Sequence, residues 1–430
     1  MPEKAIEVLT TMLSETEGKF EFDDRELEVA QMFLGRSYVH SNQPRKAIPI
    51  LEELFPRLQI RFGNSPNISL YSSSFALGMA LQKVGRYRDS IKYLQKSVDL
   101  CETNFGGLHK HKAFPCYWLV EAYLKTGEFS KALEMAMSIH NAQVEKHGIS
   151  HKRACLSAEK IADLYTLMNQ PEKAKEYLNL AFAKPGSPIG SDQQLVKRRE
   201  FKLAIVAANQ GALKEAEEKF KEAQELFGDE DDSAANGYPS FFDNLEPLIW
   251  HAELLALQGN KDAISLVDEF EFKIKKRFSN LDNFLFSAQQ LYRACVVRYI
   301  VEPDETLIAS LNEVIEILKS ERLEGAQSHL LEEARSLQGI TYLKLGKTAE
   351  AKTLLQSSFS SLKLIRPPNL QTNQATIDAG KRLSHFYRVT NADDAAKRVA
   401  ESMKTIESNV DHIPSFSRSL IEKTLTSDSK

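Results

Sequence analysis

The feature that most constrains this sequence is a pattern of small and bulky residues that recurs about every 42 positions. An anchor position recurs at residues 35, 78, 120, 162 and 204, in steps of 43, 42, 42 and 42. In the clearest copies a second small residue stands twelve positions after the anchor, and a bulky residue follows four positions later. Small side chains let two helix backbones approach closely, so each copy predicts a pair of antiparallel helices, A and B. These triplets are Gly35/Ala47/Leu51, Ala162/Ala174/Leu178, Ala204/Ala216/Phe220 and Gly339/Ala351/Leu355.

The pattern continues through the second half of the chain. After a longer step of 48 residues, the anchor recurs near 252, 295, 339 and 383. The copies near 252 and 295 are degenerate, because the turn of the first is one residue short and the second has no pair of small residues. One helical pair cannot bury its apolar face alone. We therefore expect about nine pairs that stack on one another.

An aromatic residue three positions after the anchor completes a pattern that resembles the tetratricopeptide repeat. Tyr38, Tyr165 and Tyr342 occupy this position. The usual tetratricopeptide unit has ~34 residues, and the longer unit here resembles the repeats of kinesin light chains. HEAT and armadillo arrays have similar periods, but they do not predict the paired small residues. The resemblance implies an all-α fold, a right-handed superhelical solenoid of antiparallel helix pairs.

The pattern also divides the chain into segments. Residues 2–13 match helix B of a repeat, since Ala5 lies 42 positions before Ala47. We therefore expect either a piece of a longer protein or an array that opens with a lone capping helix. The segments are 1–17, helix B of an incomplete first repeat; 18–228, the regular array; 229–245, an acidic inserted loop; 246–410, a more degenerate array; and 411–430, a tail expected to be partly disordered.

The stretch FGGLHKHK at residues 105–112 looks like a metal site but fits the repeat as a turn. Gly106 aligns with Gly148 one period of 42 residues later. In kinesin light chain-type repeats, this glycine ends helix B and the residue three positions on opens the next helix A. That residue is His109 in one copy and His151 in the other. Zinc sites normally need three or four converging ligands, so we predict a turn here, with no metal and no cofactor.

Composition and motifs disfavour several classes of function. The formal net charge of −4 creates no field that would attract nucleic acid. No apolar run reaches the ~20 residues of a membrane-spanning helix. No catalytic or nucleotide-binding motif is present, so we expect a protein that is not an enzyme. The basic residues at 197–199 are more simply a solvated helix end, and the acidic residues at 228–232 lack the spacing of a calcium loop.

The peptide-binding groove of the resembled family is concave and lined by helix A positions that alternate with the packing positions. Chaperone-binding members carry asparagine one position after the anchor, which this chain lacks. Its aromatic, methionine and single basic residues suit an extended peptide with apolar anchors better. We expect Phe75 and Tyr117 to be the apolar anchors. The predicted peptide-contacting residues are Met32, Arg36, His40, Phe75, Met79, Lys83, Tyr117, Glu121 and Lys125.

Three kinds of function remain open at this point. The first is a non-catalytic scaffold or adaptor that binds a peptide or helix in the groove. The second is an assembly factor or chaperone for a multiprotein complex, which would also use the 229–245 loop, and the third is a peptide-sensing regulator. Four cysteines without CxxC spacing indicate a reducing compartment. We expect the cytoplasm, or an organelle stroma or matrix if a transit peptide precedes this sequence.

Overall fold

The computed structural model of the chain is helical throughout the residues that it describes. These are residues 2–16, 25–41, 43–63, 65, 67–105, 113–182, 193–227, 245–277, 284–319, 328–365, 370–407, 419–420 and 422–424. Over these ranges there is no β-strand. The helices, in chain order, are α1 (Pro2–Thr16), α2 (Arg25–His40), α3 (Pro44–Phe62), α4 (Ile68–Lys83), α5 (Tyr87–Phe105), α6 (Ala113–Thr126), α7 (Phe129–His147), α8 (Lys152–Leu167), α9 (Pro171–Phe182), α10 (Gln193–Asn209), α11 (Leu213–Phe227), α12 (Glu246–Gln258), α13 (Asp262–Arg277), α14 (Phe284–Val301), α15 (Glu305–Lys319), α16 (Ser328–Lys344), α17 (Thr348–Leu364), α18 (Leu370–Val389) and α19 (Asp393–Glu407).

The helices form two compact units, Met1–Ala142 and Gln143–Lys430. In the first unit α2 packs on α3, and α4 packs on α5. Helix α3 also contacts α4, and α5 contacts α6, so successive pairs are joined. The second unit follows the same rule, with α8 on α9, α10 on α11, α12 on α13, α14 on α15, α16 on α17 and α18 on α19. The predicted all-α fold of stacked antiparallel helix pairs is therefore confirmed within each unit.

Three A helices carry a glycine at the anchor, and each glycine lies directly against the bulky residue of its B helix. A methyl group built on Gly35 would lie 2.6 Å from the Leu51 side chain, and one built on Gly78 would lie 2.7 Å from that of Leu94. A methyl group built on Gly339 would likewise lie 2.9 Å from the Leu355 side chain. The predicted frame of small and bulky residues is thus the contact surface of the pairs.

The turns also agree with the sequence pattern. Gly85, between α4 and α5, has a φ of +79°, a left-handed conformation that favours glycine. Gly148 ends α7 with a φ of +83°, and His151, three residues later, is the N-cap of α8. The His151 Nδ1 atom accepts a hydrogen bond from the backbone N–H of Arg153 at 3.2 Å. Residues 106–112 lie outside the described residues, so the turn at FGGLHKHK stays a prediction.

The degenerate copies still form packed pairs. Ala252 of α12 and Ala263 of α13 are fully buried, as a regular copy requires. In α14, Cys295 occupies the anchor position and is buried in one cluster with Leu307 and Leu311 of α15. A medium-sized thiol can therefore replace glycine or alanine at the anchor.

Part of the segment at 411–430, for which the sequence predicts partial disorder, is helical. Residues 419–420 and 422–424 are helical, and Leu420 and Thr424 are 7% and 1% exposed. The sequence analysis missed this because six residues of moderate hydrophobicity carry no periodic signal. The acidic loop at 229–245 lies outside the described residues except for Leu245.

We predict that Gly78→Ala destabilises the protein by about 1–3 kcal/mol, because its methyl group would overlap the fully buried Leu94. Without the overlap the same change would stabilise a helix by roughly 0.5–1 kcal/mol. Leu94→Ala removes the overlapping atoms, so Gly78→Ala should be neutral or stabilising in that background. Urea unfolding of the single and double variants measures both effects. A stabilising Gly78→Ala in the otherwise unchanged chain would contradict the packing described here.

We predict that protonation of His251 weakens the second unit below pH 6.5. His251 is 4% exposed and stacks on Phe220 with ring centroids 6.2 Å apart. Burial disfavours the imidazolium and lowers the pKa of His251 to about 4. Between pH 6.5 and 4 the unfolded chain therefore binds more protons, and stability is lost as the pH falls through this window. The free energy of unfolding should therefore fall less between pH 7 and pH 4 in the His251→Leu variant than in the parent, by roughly 3 kcal/mol. Parallel pH curves for both proteins would show that the prediction is wrong.

Candidate functional site

An open depression of about 320 Å³ lies between α4, α5 and α6 in the first unit. Helix α4 ends at its edge, α5 begins beside it, and α6 forms the opposite wall. Its surface is mostly apolar. The lining residues are Gln82, Lys83, Tyr87, Tyr117, Trp118, Glu121 and Lys125.

Packing within the first unit holds the floor of the depression in place. The Gln82 side chain donates a hydrogen bond from Nε2 to the Trp118 carbonyl oxygen at 2.8 Å, which ties α4 to α6. Tyr87 is 8% exposed, and Trp118 packs against the apolar cluster that contains Leu77 and Leu81. The depression therefore exists before any ligand binds, which lowers the entropic cost of binding.

Charged groups surround the apolar surface. Lys83 lines the depression, and burial of its ammonium group among the surrounding helices lowers its pKa. Burial raises the pKa of Tyr87, and the negative charge of Glu121 raises it further. Lys125 adds a second cation to the rim. The site thus combines an apolar floor with charges of both signs at the edge.

Four of the predicted contact residues line this depression: Lys83, Tyr117, Glu121 and Lys125. Tyr117 is 39% exposed, which makes it the accessible aromatic group of the site. Trp118 contributes to the wall as well. Sequence reasoning missed Tyr87, which belongs to helix B and follows the Gly85 turn. That turn was the available signal, because it places the first residue of α5 beside the end of α4.

The expectation of accessible side chains is wrong for Met32 and Met79. Met32 is 4% exposed and packs in the cluster of Leu54, Leu58 and Leu70. Met79 is 7% exposed and packs in the cluster that contains Leu77.

The other three predicted residues lie outside the depression. Phe75 is half-buried and stacks on Tyr71 with ring centroids 6.3 Å apart. Arg36 is half-buried, with its guanidinium 5.8 Å from the ring centroid of Phe33. His40 is exposed, and its Nδ1 lies 2.7 Å from the carbonyl oxygen of Arg36. The structure therefore does not group these three with Tyr117.

In the second unit, ion pairs join successive A helices. Arg198 of α10 donates from Nε to Glu159 of α8 at 2.6 Å, and Lys202 contacts Asp163 at 2.8 Å. Glu159 is 3% exposed. The expectation of a simple solvated helix end at residues 197–199 is therefore wrong for Arg198, which stabilises the contact between two repeats.

The same arrangement occurs farther along the second unit. Arg293 of α14 donates to both carboxylate oxygens of Glu253 in α12 at 2.7 Å, and its guanidinium lies 5.1 Å from the Trp250 ring. Bidentate pairs of this kind are strong and geometrically specific. Several charged side chains on the A helices of this unit thus form ion pairs that hold successive repeats together.

A buried group of ionisable side chains connects α14, α16 and α18. Arg382 is 2% exposed and is hydrogen-bonded to Tyr292. Burial raises the pKa of Glu333 to about 8 and that of Asp378 to about 6. Perturbed carboxyl groups can mark functional sites. Here Tyr292 of α14 and Glu333 of α16 interact with Asp378 and Arg382 of α18, which is the arrangement of a packing network.

The described residues contain no group of three or more His, Cys, Asp or Glu side chains that could hold a metal ion. His147 and His151 stack with ring centroids 4.4 Å apart, and a histidine pair alone is too few ligands for zinc. No helix in the described part of the chain is long and apolar enough to cross a membrane.

The chain is similar to known proteins in part of its sequence and in its fold. A family model for the tetratricopeptide repeat matches residues 76–111, which include Gln82, Lys83 and Tyr87 of the depression. No curated protein sequence matches the chain. One similar solved structure is a putative kinesin light chain from Podosopora anserina with nearly identical TPR-like repeats, at 20% identity over 49% of this chain and 100% of that one, with a TM-score of 0.43.

Two further solved structures are similar over more of the chain. The apo form of the quorum sensor NprR from B. thuringiensis has 16% identity, covers 83% of this chain and 97% of its own, and has a TM-score of 0.48. A Rap protein complexed with Competence and Sporulation Factor has 15% identity, covers 93% and 94%, and has the same TM-score. A tetratricopeptide repeat is thus matched at residues 76–111, within an array of packed helix pairs.

Proposed function

We propose that this protein is a non-catalytic interaction scaffold that binds an extended peptide in the α4–α5–α6 depression. The observation that carries this proposal is the preformed, mostly apolar surface beside the exposed ring of Tyr117. A volume of about 320 Å³ accommodates one or two side chains and is at the lower end of the ~300–1,000 Å³ of ligand pockets. A peptide side chain therefore fits the site better than a large cofactor.

The rim defines the kind of peptide. An apolar or aromatic side chain would occupy the floor against Tyr117 and Trp118. Lys83 and Lys125 favour an acidic residue on the peptide, and Glu121 favours a basic one. Apolar anchors supply most of the binding energy in such contacts, and charges at the rim act mainly on specificity.

The cysteines support a reducing compartment such as the cytoplasm. Cys101, Cys116 and Cys295 are buried, Cys155 is half-buried, and all four are free thiols. The assembly-factor alternative depends on the acidic loop at 229–245, most of which lies outside the described residues, and no observation favours it. The peptide-adaptor function rests on the geometry of the first unit alone.

We predict that Tyr117→Ala weakens peptide binding about tenfold, the effect of losing ~1.4 kcal/mol from an aromatic anchor. Random 12-residue peptides displayed on phage would be selected for binding to the full chain. The affinity of the selected peptides is then measured by the change in Trp118 fluorescence in a Trp250→Phe background. The single change is preferable to a Phe75 variant, because Phe75 also packs on Tyr71.

The matched control is Ile60→Ala, which removes an apolar side chain that is 87% exposed on α3 and does not line the depression. It should leave affinity unchanged, and both variants should keep the helicity of the parent by circular dichroism. Selected peptides that bind the Tyr117→Ala protein as tightly as the parent would refute the proposed site.

A further inference from the structure

A row of polar side chains runs along α18 beside a row of apolar ones. Gln374, Asp378 and Arg382 are spaced four residues apart, so they project from the same side of the helix. Arg382 is 2% exposed and Asp378 is 5% exposed, so their charges lie inside the protein. Buried charges of this kind need partners on the neighbouring helices. The adjacent apolar row belongs to the buried cluster of the second unit and consists of Ala375, Ala379 and Leu383.

Helices α14 and α16 supply partners for the polar row. Arg382 is hydrogen-bonded to Tyr292 of α14. Asp378 accepts a hydrogen bond from Gln374 Nε2 at 2.7 Å. Glu333 of α16 is half-buried and interacts with both Asp378 and Arg382. Glu333, Asp378 and Arg382 therefore form a charge cluster at the contact between α16 and α18, with two carboxyl groups and one guanidinium.

Few other charges act on this charge cluster. Helix α16 also packs on α15 and α17, and α18 packs on α17 and α19. Within the described residues, α15, α17 and α19 add no charged group to those that act on Glu333 or Asp378. Lys381 of α18 acts on Asp378, but its side chain is half-exposed, so water screens its charge. The charge balance is therefore set mainly by the two acids and the arginine.

Arg382 is incompletely hydrogen-bonded. Its Nε and Nη1 atoms are buried and have no acceptor among the described residues. A buried donor without an acceptor destabilises the contact in which it lies. In the pair of Arg293 and Glu253, by contrast, both carboxylate oxygens accept hydrogen bonds at 2.7 Å. The contact between α16 and α18 is therefore less fully satisfied than the ion pair between α12 and α14.

The net charge of the cluster depends on one proton. With Asp378 ionised and Glu333 protonated, one negative charge faces the guanidinium and the cluster is neutral. With both acids ionised, two negative charges face one positive charge, and the acids repel each other. Burial raises the pKa of Glu333 from 4.5 to about 8 and that of Asp378 from 3.8 to about 6. The folded state thus holds protons that the unfolded chain releases, and this stabilisation is lost as the pH rises through 6 and then 8.

We propose that the contact between α16 and α18 is a pH-sensitive joint, in which deprotonation of the charge cluster releases the α18–α19 pair from the α16–α17 pair. The last pair stays packed at slightly acidic pH and opens locally at alkaline pH, while the earlier pairs of the second unit keep their structure. This joint is independent of the depression proposed for the first unit. Failure of either proposal leaves the other untouched.

Hydrogen–deuterium exchange of the full chain, measured by mass spectrometry near pH 6.5 and near pH 8.5, tests the joint. After correction for the pH dependence of intrinsic exchange, the amides of α18 and α19 should lose protection on the order of tenfold at the higher pH. The amides of α10 should keep their protection. Protonation of His251 does not interfere, because it acts below this range.

Glu333→Gln and Asp378→Asn each leave one acid for one arginine and mimic a neutral carboxyl group. Both variants should therefore keep the protection of α18 and α19 near pH 8.5. The matched control is Glu350→Gln, a change at an exposed position of α17. It should lose protection with pH as the parent does.

Three outcomes would overturn the proposal. The first is unchanged protection of α18 and α19 in the parent, or an equal loss of protection in α10, which would show global unfolding instead of a local joint. The second is a response in both variants that equals the response of the parent. The third is loss of the cooperative melt near pH 6.5 in both variants, which would make the charge cluster a fixed requirement of the fold.

Discussion

The close approach of paired helices at the anchor positions is the contact on which the rest of the structure depends. Gly35, Gly78 and Gly339 have no side chain, and the leucine from the partner helix fills that space. This contact sets the distance between the helices of a pair. Because every pair is built in the same way, the faces that remain can stack on the next pair. Buried clusters then run through each unit from repeat to repeat.

The depression in the first unit is a consequence of this pairing. The turn at Gly85 brings the first residue of α5, Tyr87, beside the last residues of α4, and α6 stacks against both. Three helix surfaces that meet around a turn leave an open space, and aromatic rings form its wall. In the second unit the equivalent A helices use charged residues differently. Arg198, Lys202 and Arg293 bind acids of the preceding repeat.

The sequence predicted the helical pairs well because their signal is periodic and local. A small residue, a second small residue twelve positions later and a bulky residue recur in register, so several copies support each assignment. The depression was predicted in part. Lys83, Tyr117, Glu121 and Lys125 line it, but the sequence could not show that Met32 and Met79 turn into the core, since a methionine is compatible with a groove or a core. The buried contact of Leu420 was missed entirely. It joins residues that are far apart in sequence, and neither period nor spacing connects them.

The central claim is that a ligand peptide contacts the first unit at Tyr117. The most direct measurement replaces Tyr117 with the photoreactive amino acid benzoylphenylalanine, and Ile60 in a second protein. Each protein is irradiated with a phage-selected 12-residue peptide, and the products are mapped by mass spectrometry. Peptide cross-links are expected at position 117 and none at position 60, a more exposed apolar site away from the depression. Cross-links at both positions, or at position 60 alone, would contradict it.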